Sequence, residues 1–179
     1  TVSVAGLTEG LCGAHRPGHF DGVTTVVSKL FLQTGADRAY FGEKDFQQLA
    51  ILRRMSEELL FPIKIVGAST SRESDGLARS SRNGFLTESE RTLAPQIYQT
   101  LQTLKADIEG GEQDYRALEQ RYRDSLNQAG FQVDYLTVAN ARSLAPASAG
   151  DTDLVVAVAA KLGNTRLIDN VSLAVVRDR

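Results

Sequence analysis

The chain has 179 residues, 42% of them hydrophobic, and its 20 basic and 22 acidic side chains leave a formal net charge of −2. Such a chain can bury a core in one domain or in two small ones, and its interspersed charges, without a basic stripe, argue against a nucleic-acid partner. The single cysteine, Cys12, excludes an internal disulfide framework and fits a reducing cytoplasm, and no apolar run reaches the roughly eighteen residues of a membrane span.

The first 69 residues carry the pattern of a β-α-β unit. Residues 1–4 are interpreted as part of a strand, and a helix follows whose apolar stripe consists of Val23, Val26, Val27, Leu30 and Phe31. A buried strand at 39–41, a helix at 46–60 and a strand at 63–67 come next, an order that predicts parallel strands and a right-handed crossover. The second helix is expected to bury one face, formed by Leu49, Leu52, Leu59 and Leu60 with Met55 near its edge.

A glycine and a lysine stand where the strand at 39–41 passes into the second helix. Gly42 permits a sharp turn and the close approach of a ligand, and Asp45 is the expected N-cap of the helix. Lys44 therefore lies beside free backbone N–H groups at the positive end of a helix dipole, which favours a bound anion. The alternative is a solvated turn with an ordinary surface lysine.

Two further polar segments suit the same kind of ligand. Ser80 and Ser81 supply adjacent hydroxyl groups, and Arg82 supplies a guanidinium that can bind two phosphate oxygens in a fork. The alternative is a mobile loop without a ligand. Upstream, a Pro-Gly turn could present Arg16 and His19 to one side, although His19 could equally be a helix-flanking residue bonded to backbone.

From about residue 70 the pattern becomes that of a small α+β domain. Thr87 and Glu90 form a capping box, Pro95 is expected to kink or restart the helix that follows, and the pair at 110–111 ends it. A second helix carries Tyr115, Leu118, Tyr122 and Leu126 and stops near Gly130. Three apolar segments predict strands, at 131–135, 154–158 and 171–175. The spacing favours two helices on a three-stranded, largely antiparallel sheet.

Four strings occur in a specific order and spacing: LCGAHRPGHFDGVTTVVSKLF, YFGEKDFQQLAILRRM, RESDGLARSSRNGFLT and KLGNTRLIDN. Over nearly all of its length the chain thereby resembles the C-terminal portion of the pantothenate synthetases, the pantoate–β-alanine ligases. The resemblance implies an α/β fold, with the second half of a Rossmann-like nucleotidylyltransferase unit at 1–69. A small α+β lid domain with a three-stranded, largely antiparallel sheet and helices is implied at 70–179, and so is a homodimer.

The resemblance also implies a reaction. The carboxylate of pantoate attacks the α-phosphate of ATP in the presence of Mg²⁺, and the amine of β-alanine then converts pantoyl adenylate into pantothenate and AMP. The residues implied to bind ATP are Phe41, Gly42, Lys44, Asp45, Ser80, Ser81 and Arg82. Of these, the implied catalytic residues are Lys44, Ser80, Ser81 and Arg82. Gln48 would bind pantoate, Arg16 and His19 would lie near the acyl and amine side, and no side chain is assigned to a metal.

The sequence departs from the family pattern in several places. The superfamily's His-x-Gly-His-type motif is absent and the chain starts at Thr1, so we expect a fragment that makes little or no pantothenate alone and that self-associates through an exposed sheet edge. Cys12 replaces a Glu of some relatives and is interpreted as a small, partly buried residue. Arg79 replaces Met or Leu, and either adds charge beside the phosphate loop or points to solvent. Arg166 and Asp169 are interpreted as an ion pair across a turn.

Two other functions stay open at this point. One is a non-catalytic module that binds nucleotide, phosphate or partner subunits, and recovery of activity on adding the N-terminal segment would distinguish it from the ligase. The other is an adenylylating enzyme that acts on a different acid, against which the RPGHF string and Gln48 argue.

Overall fold

The computed structural model describes residues 1–175, which divide into two compact units, Thr1–Thr70 and the part of the chain from Ser71 onward. The expected boundary lay after residue 69. The first unit contains a parallel strand pair, and the second contains a three-stranded antiparallel sheet with helices. The α/β fold class is therefore confirmed. No helix in the described part of the chain has the length and apolar character needed to cross a membrane.

In the first unit, one helix connects two parallel strands. The elements are α1 (Cys12–His15), α2 (His19–Thr34), β1 (Arg38–Gly42), a 3-10 helix (Glu43–Asp45), α3 (Phe46–Glu58) and β2 (Lys64–Ala68). β1 and β2 pair in parallel, with Arg38 opposite Lys64 and Gly42 opposite Ala68. The carboxyl ends of both strands therefore meet at one edge of the sheet, which is where open α/β sheets bind their ligands.

The expectation that β1 is buried is wrong. Its side chains alternate between exposed and half-buried, and Tyr40 is 64% exposed. Successive side chains of a strand point to opposite faces. Phe41 packs edge-to-face on Phe31 of α2, with ring centroids 6.4 Å apart, whereas Tyr40 lies on the other face.

The strand expected at residues 1–4 is also absent, because this segment docks on α2 instead. The backbone N–H of Val2 donates to Oγ1 of Thr25 at 2.9 Å, and its carbonyl accepts from Oγ1 of Thr24 at 2.6 Å. These two bonds satisfy backbone groups that a strand would have paired with a neighbouring strand.

The apolar stripe expected on α2 is only partly buried, because Phe31 is buried but Val23 and Val27 are half-buried. Val26 and Leu30 are 56% and 49% exposed. The face that is buried consists of Phe20, Thr24, Ser28 and Phe31. Thr24 also bonds the carbonyl of Phe20, and Oγ of Ser28 donates to Sδ of Met55 at 3.2 Å. Small hydroxyl side chains with bonded partners can be buried at little cost, and hydrophobic periodicity does not register them.

In α3, the expected buried face is right in its first half and wrong at its end. Leu49, Leu52 and Met55 are almost fully buried. The helix ends at Glu58, so Leu59 and Leu60 lie beyond it and are 50% and 86% exposed. The helix period no longer applies to them, and Leu60 has a positive φ of 53°.

In the second unit, helices pack on an antiparallel sheet. The elements are a 3-10 helix (Ser81–Phe85), α4 (Glu88–Leu93), α5 (Gln96–Glu109), α6 (Tyr115–Gln128), β3 (Gln132–Asn140), β4 (Asp153–Leu162) and β5 (Thr165–Ala174). The strand order is β3-β4-β5 and both pairs are antiparallel. The largest core residues include Ile97, Leu101, Leu104, Leu126, Leu136 and Leu154.

Local signals placed the helices of this unit correctly. Thr87 caps α4 in a capping box with Glu90, and Pro95 separates α4 from α5 at the N-cap of the latter. α5 ends at Glu109 with Gly110 as its C-cap, and Gly111 follows with a φ of 105°. The strands are longer than expected. β5, for example, begins at Thr165 and not at residue 171.

The expected ion pair between Arg166 and Asp169 is wrong. Both residues lie in β5, three positions apart, so their side chains point to opposite faces of the sheet. Nε of Arg166 donates to Oδ2 of Asp134 at 2.7 Å, and Asp169 pairs with Arg72 instead.

Candidate functional site

The turn between β1 and α3 carries several of the expected ligand-binding residues. Gly42 ends the strand, and Lys44 is half-buried in the short 3-10 helix that leads into α3. Gln48 lies in the first turn of α3 and is also half-buried. Asp45 occupies the N-cap position, but its side chain accepts no capping hydrogen bond, so that part of the expectation is wrong.

Two charged side chains that sequence reasoning missed reach the end of β2. A Cβ atom placed on Gly67 would lie 2.9 Å from Oε1 of Glu43 and 3.1 Å from Nη2 of Arg53. Gly67 therefore leaves room for a carboxylate and a guanidinium at the carboxyl edge of the sheet. The Gly residue itself was the available signal, because a strand glycine often marks a close approach.

Arg16 and His19 flank the start of α2. Gly18, at the N-cap, has a φ of 74°, which permits the turn between them. Burial lowers the pKa of His19 below its ordinary value, the Arg16 guanidinium lowers it further, and the Asp45 carboxylate raises it. The Asp45 carboxylate is therefore close enough to His19 to influence its pKa.

A polar cavity of about 260 Å³ opens beside Arg16. It is lined by Ser3, Thr8, Glu9, Gly13, Arg16, Pro17, Gly18, Phe20 and Asp21. Among its charged groups are one guanidinium and two carboxylates, so its lining can accept a ligand with groups of both signs.

Gln47, the neighbour of Gln48, makes three hydrogen bonds that connect α3 to the segment at residues 7–12. It is 6% exposed, and its Nε2 donates to the carbonyls of Leu7 and Gly10, each at 2.9 Å. Its Oε1 accepts from the backbone N–H of Cys12 at 3.0 Å. Gln47 thus ties the loop before α1 to α3. Cys12 is half-buried, and its backbone rather than its thiol makes this contact.

In the second unit, the serine pair follows a small hairpin. Oγ of Ser80 accepts from the backbone N–H of Arg82 at 3.2 Å, while Ser81 and Arg82 are exposed. Arg79 pairs with Glu73 at 3.2 Å, so its charge is shared with a carboxylate. Within residues 1–175 no ion pair involves Arg82. The convergence of Lys44 with this segment stays a prediction.

The side chains present suit a magnesium ion that a ligand carries, rather than one held by the protein alone. No group of three or more His, Cys, Asp or Glu side chains in the described residues could hold a metal. Mg²⁺ commonly keeps several waters and is bound by substrate phosphates with one or two carboxylates. Glu43 and Asp45 are the carboxylates on either side of Lys44.

The architecture and its turns define a nucleotidylyltransferase-type α/β protein. The crystal structure of the pantothenate synthetase from Thermus thermophilus matches 96% of this chain with a TM-score of 0.89 and 40% identity, over 62% of that structure's chain. A pantoate-beta-alanine ligase from Francisella tularensis, complexed with beta-gamma ATP and beta-alanine, matches 96% of this chain with a TM-score of 0.73 and 29% identity, over 57% of its own chain.

A family model of the pantoate-beta-alanine ligases matches residues 1–172, and the chain belongs to that family. The pantothenate synthetase of Alcanivorax borkumensis is 73% identical over 178 residues, which are 99% of this chain and 62% of that relative. The chain therefore spans less than two thirds of the length of this curated relative.

Proposed function

We propose that the protein containing this chain joins pantoate to β-alanine at the expense of ATP. The observation that carries the proposal is the 73% identity to a pantothenate synthetase over 99% of the chain. The family match over residues 1–172 agrees with it. The proposed course is attack of the pantoate carboxylate on the α-phosphate, which releases pyrophosphate, followed by attack of the β-alanine amine on the acyl carbon, which releases AMP.

The proposed roles follow the chemistry of each side chain. Lys44 and Arg82 neutralise charge that builds up on the phosphates, and Ser80 and Ser81 donate hydrogen bonds to the same oxygens. Glu43 or Asp45 would be the protein ligand of a Mg²⁺ ion bound with ATP, and that ion would neutralise further phosphate charge. The bound nucleotide and β-alanine of the Francisella tularensis relative support ATP and β-alanine as ligands of this family member.

The remaining roles concern the edge of the first unit. Phe41 and Gly42 contact the nucleotide through their backbone, and Gln48 holds pantoate. Arg16 and His19 lie on the acyl and amine side. Because the pKa of His19 is lowered, its imidazole is predominantly neutral at pH 7 and can accept a hydrogen bond from the attacking amine.

The test is the rate of AMP formation by the complete protein that contains these residues. We expect AMP to appear only when ATP, pantoate and β-alanine are all present. Replacing Lys44→Met should lower kcat/KM about a hundredfold to a thousandfold, as loss of one donor to a developing anion does elsewhere. Lys64→Met, at an exposed lysine at the amino end of β2, is the matched control and should leave the rate unchanged.

AMP formation that does not depend on pantoate would refute this function. It would favour the adenylylating enzyme for another acid, whereas tight nucleotide binding without any turnover would favour the non-catalytic module. An unchanged kcat/KM in Lys44→Met would refute the role of that lysine alone.

Three proposals concern the molecule as a whole. We infer that the 179 residues by themselves turn over little substrate, since they span 62% of the relative's length. We also infer that the protein acts in the cytoplasm and as a homodimer. Exposed apolar side chains on α2 support the association.

A further inference from the structure

The serine pair of the second unit is reached through a hairpin held by its own backbone. The N–H of Glu73 donates to the carbonyl of Leu77 at 2.8 Å, and the N–H of Arg79 donates to the carbonyl of Ser71 at 2.9 Å. Immediately beyond, Nδ2 of Asn83 donates to the carbonyl of Ala78 at 3.0 Å. The position of Ser80, Ser81 and Arg82 is therefore coupled to that of the hairpin.

Two ion pairs connect this hairpin to the rest of the unit. Asp75 pairs with Arg91 of α4 at 2.6 Å near the surface, and Arg72 makes the more buried contact. The Nη1 and Nη2 atoms of Arg72 bind Oδ2 and Oδ1 of Asp169 at 2.6 and 2.9 Å. The same guanidinium donates to the carbonyl of Gly76 at 3.0 Å and lies 3.8 Å from the ring centroid of Tyr98. Arg72 thus contacts its own hairpin, β5 and α5 at once.

The ion pair between Arg72 and Asp169 is largely buried, so its geometry affects the position of the hairpin. Asp169 is 4% exposed, and the side chain of Arg72 is 19% exposed. Water screens such a pair little, and a bidentate fork fixes direction as well as distance. A lysine keeps the charge but has neither the planar fork nor the flat surface that stacks on Tyr98.

We propose that Arg72 is a positioning residue that holds residues 80–82 in place for a phosphate-bearing ligand, an inference that rests on the proposed function. Arg72 does not touch the ligand. It acts by fixing the hairpin on Asp169 and Tyr98, so that the two serine hydroxyls and the Arg82 guanidinium present one preformed surface. Preformed donors cost no reorganisation when charge develops, which is why their placement affects catalysis.

The chain offers a matched control for this proposal. Arg166 also has a side chain that is 19% exposed, and it also pairs with a carboxylate of the second unit, at 2.7 Å from Asp134. Its ion-pair partner lies in β3 and not in the hairpin. If Arg72 matters only because the unit loses an ion pair, Arg72→Met and Arg166→Met should behave alike.

The first measurement is amide hydrogen exchange on the 179-residue chain. We expect Arg72→Met to speed exchange at the hairpin amides of Glu73, Gly76 and Arg79 at least about tenfold, with Arg166→Met leaving them near the wild-type rate. Equal exchange at these amides in the two variants would overturn the proposal. This measurement does not depend on catalysis, so it decides the anchoring role even if the proposed function fails.

The second measurement is steady-state AMP formation by the complete protein. We expect Arg72→Met and Arg72→Lys to raise KM for ATP about tenfold while KM for β-alanine stays within about twofold. Loss of folded protein would lower kcat for every substrate and leave both KM values unchanged. Equal effects on the two KM values, or no effect, would overturn the proposal. A wild-type protein without pantoate-dependent turnover would instead refute the proposed function.

Two further variants test the proposal if Arg72→Met fails to fold. Asp169→Asn keeps the size of the side chain and should reproduce the exchange pattern, because it removes the charge that orients the guanidinium. The double variant Arg72→Lys with Asp169→Asn should be little worse than the more severe single variant, since residues that act as one unit are not additive. Fully additive effects would contradict the pairing.

Discussion

The pKa of His19 is set by its burial and by two neighbouring charges. Burial and Arg16 lower it, and Asp45 raises it. We therefore expect a titration by histidine NMR to give a value below the ordinary one, with Arg16→Met moving it up and Asp45→Asn moving it down. His15 is the second signal in the same spectrum. A value unaffected by both substitutions would show that neither charge lies close to His19.

The sign of the associated pH dependence follows from this lowered pKa. As the pH falls through the ordinary histidine range, the unfolded chain takes up a proton at His19 before the folded chain does. The contribution of this residue to stability is therefore intact above the ordinary pKa and declines below it.

Single residues also show where sequence reasoning reached its limit. The strings around Lys44 and Ser80 were singled out by their order and spacing, because each string alone also fits an ordinary surface turn or loop. Gln47 could not be distinguished from Gln48, since adjacent polar residues carry no sign of which one will be buried. Its three hydrogen bonds to a loop more than thirty positions earlier exist only once the chain is folded.

At the scale of elements, Gly76 is the position where the hairpin depends most on the absence of a side chain. Its φ is 92°, and a Cβ atom there would collide with the ring of Tyr98. We expect Gly76→Ala to lower the free energy of unfolding by about 1–3 kcal/mol, measured as the urea midpoint by far-UV circular dichroism.

Gly84 supplies the control for that substitution. It lies in the nearby 3-10 helix, no atom lies within 4 Å of its virtual Cβ, and its φ is not in the left-handed range. Gly84→Ala should change stability by less than about 0.5 kcal/mol. Equal losses in the two variants would mean that the ring of Tyr98 moves away at no cost.

Elements were predicted well where a local signal defines their ends. The capping box of Thr87 and the proline at 95 act through neighbours in sequence, so α4 and α5 could be placed before any tertiary contact was known. The buried face of α2 depends on Thr24 and Ser28, whose hydroxyl groups find partners in Val2 and Met55. Such partners are distant in sequence, and for that reason Val26 and Leu30 were wrongly expected on the buried side, whereas Phe31 was placed there correctly.

At the scale of the whole molecule, the order of the two units could be predicted from the sequence. A β-α-β unit and an antiparallel sheet differ in the periodicity of their apolar residues and in the length of the connections between strands. The ion pair of Arg72 with Asp169 did not follow, since it joins residues 97 positions apart. The pair forms only when the hairpin that carries Arg72 packs on the strand that carries Asp169. The sequence of neither element alone predicts the other residue as its partner.

Association of the chain should depend on the exposed face of α2. Val26 and Leu30 are one helical turn apart and lie on the same side, and both are about half exposed. We expect sedimentation velocity to show concentration-dependent self-association of the 179-residue chain. Val26→Glu combined with Leu30→Lys should abolish it, because this pair removes apolar surface and adds an i,i+4 attraction that preserves the helix.

The control for this prediction is an exposed apolar residue elsewhere. Phe85 is 77% exposed in the second unit, and Phe85→Ser removes a comparable apolar group without touching α2. If α2 forms the contact, the chain with Phe85→Ser still associates, whereas the double variant sediments as a monomer. A wild-type chain that stays monomeric at every concentration, or association that is lost only with Phe85→Ser, would place the contact away from α2 and remove this support for a homodimer.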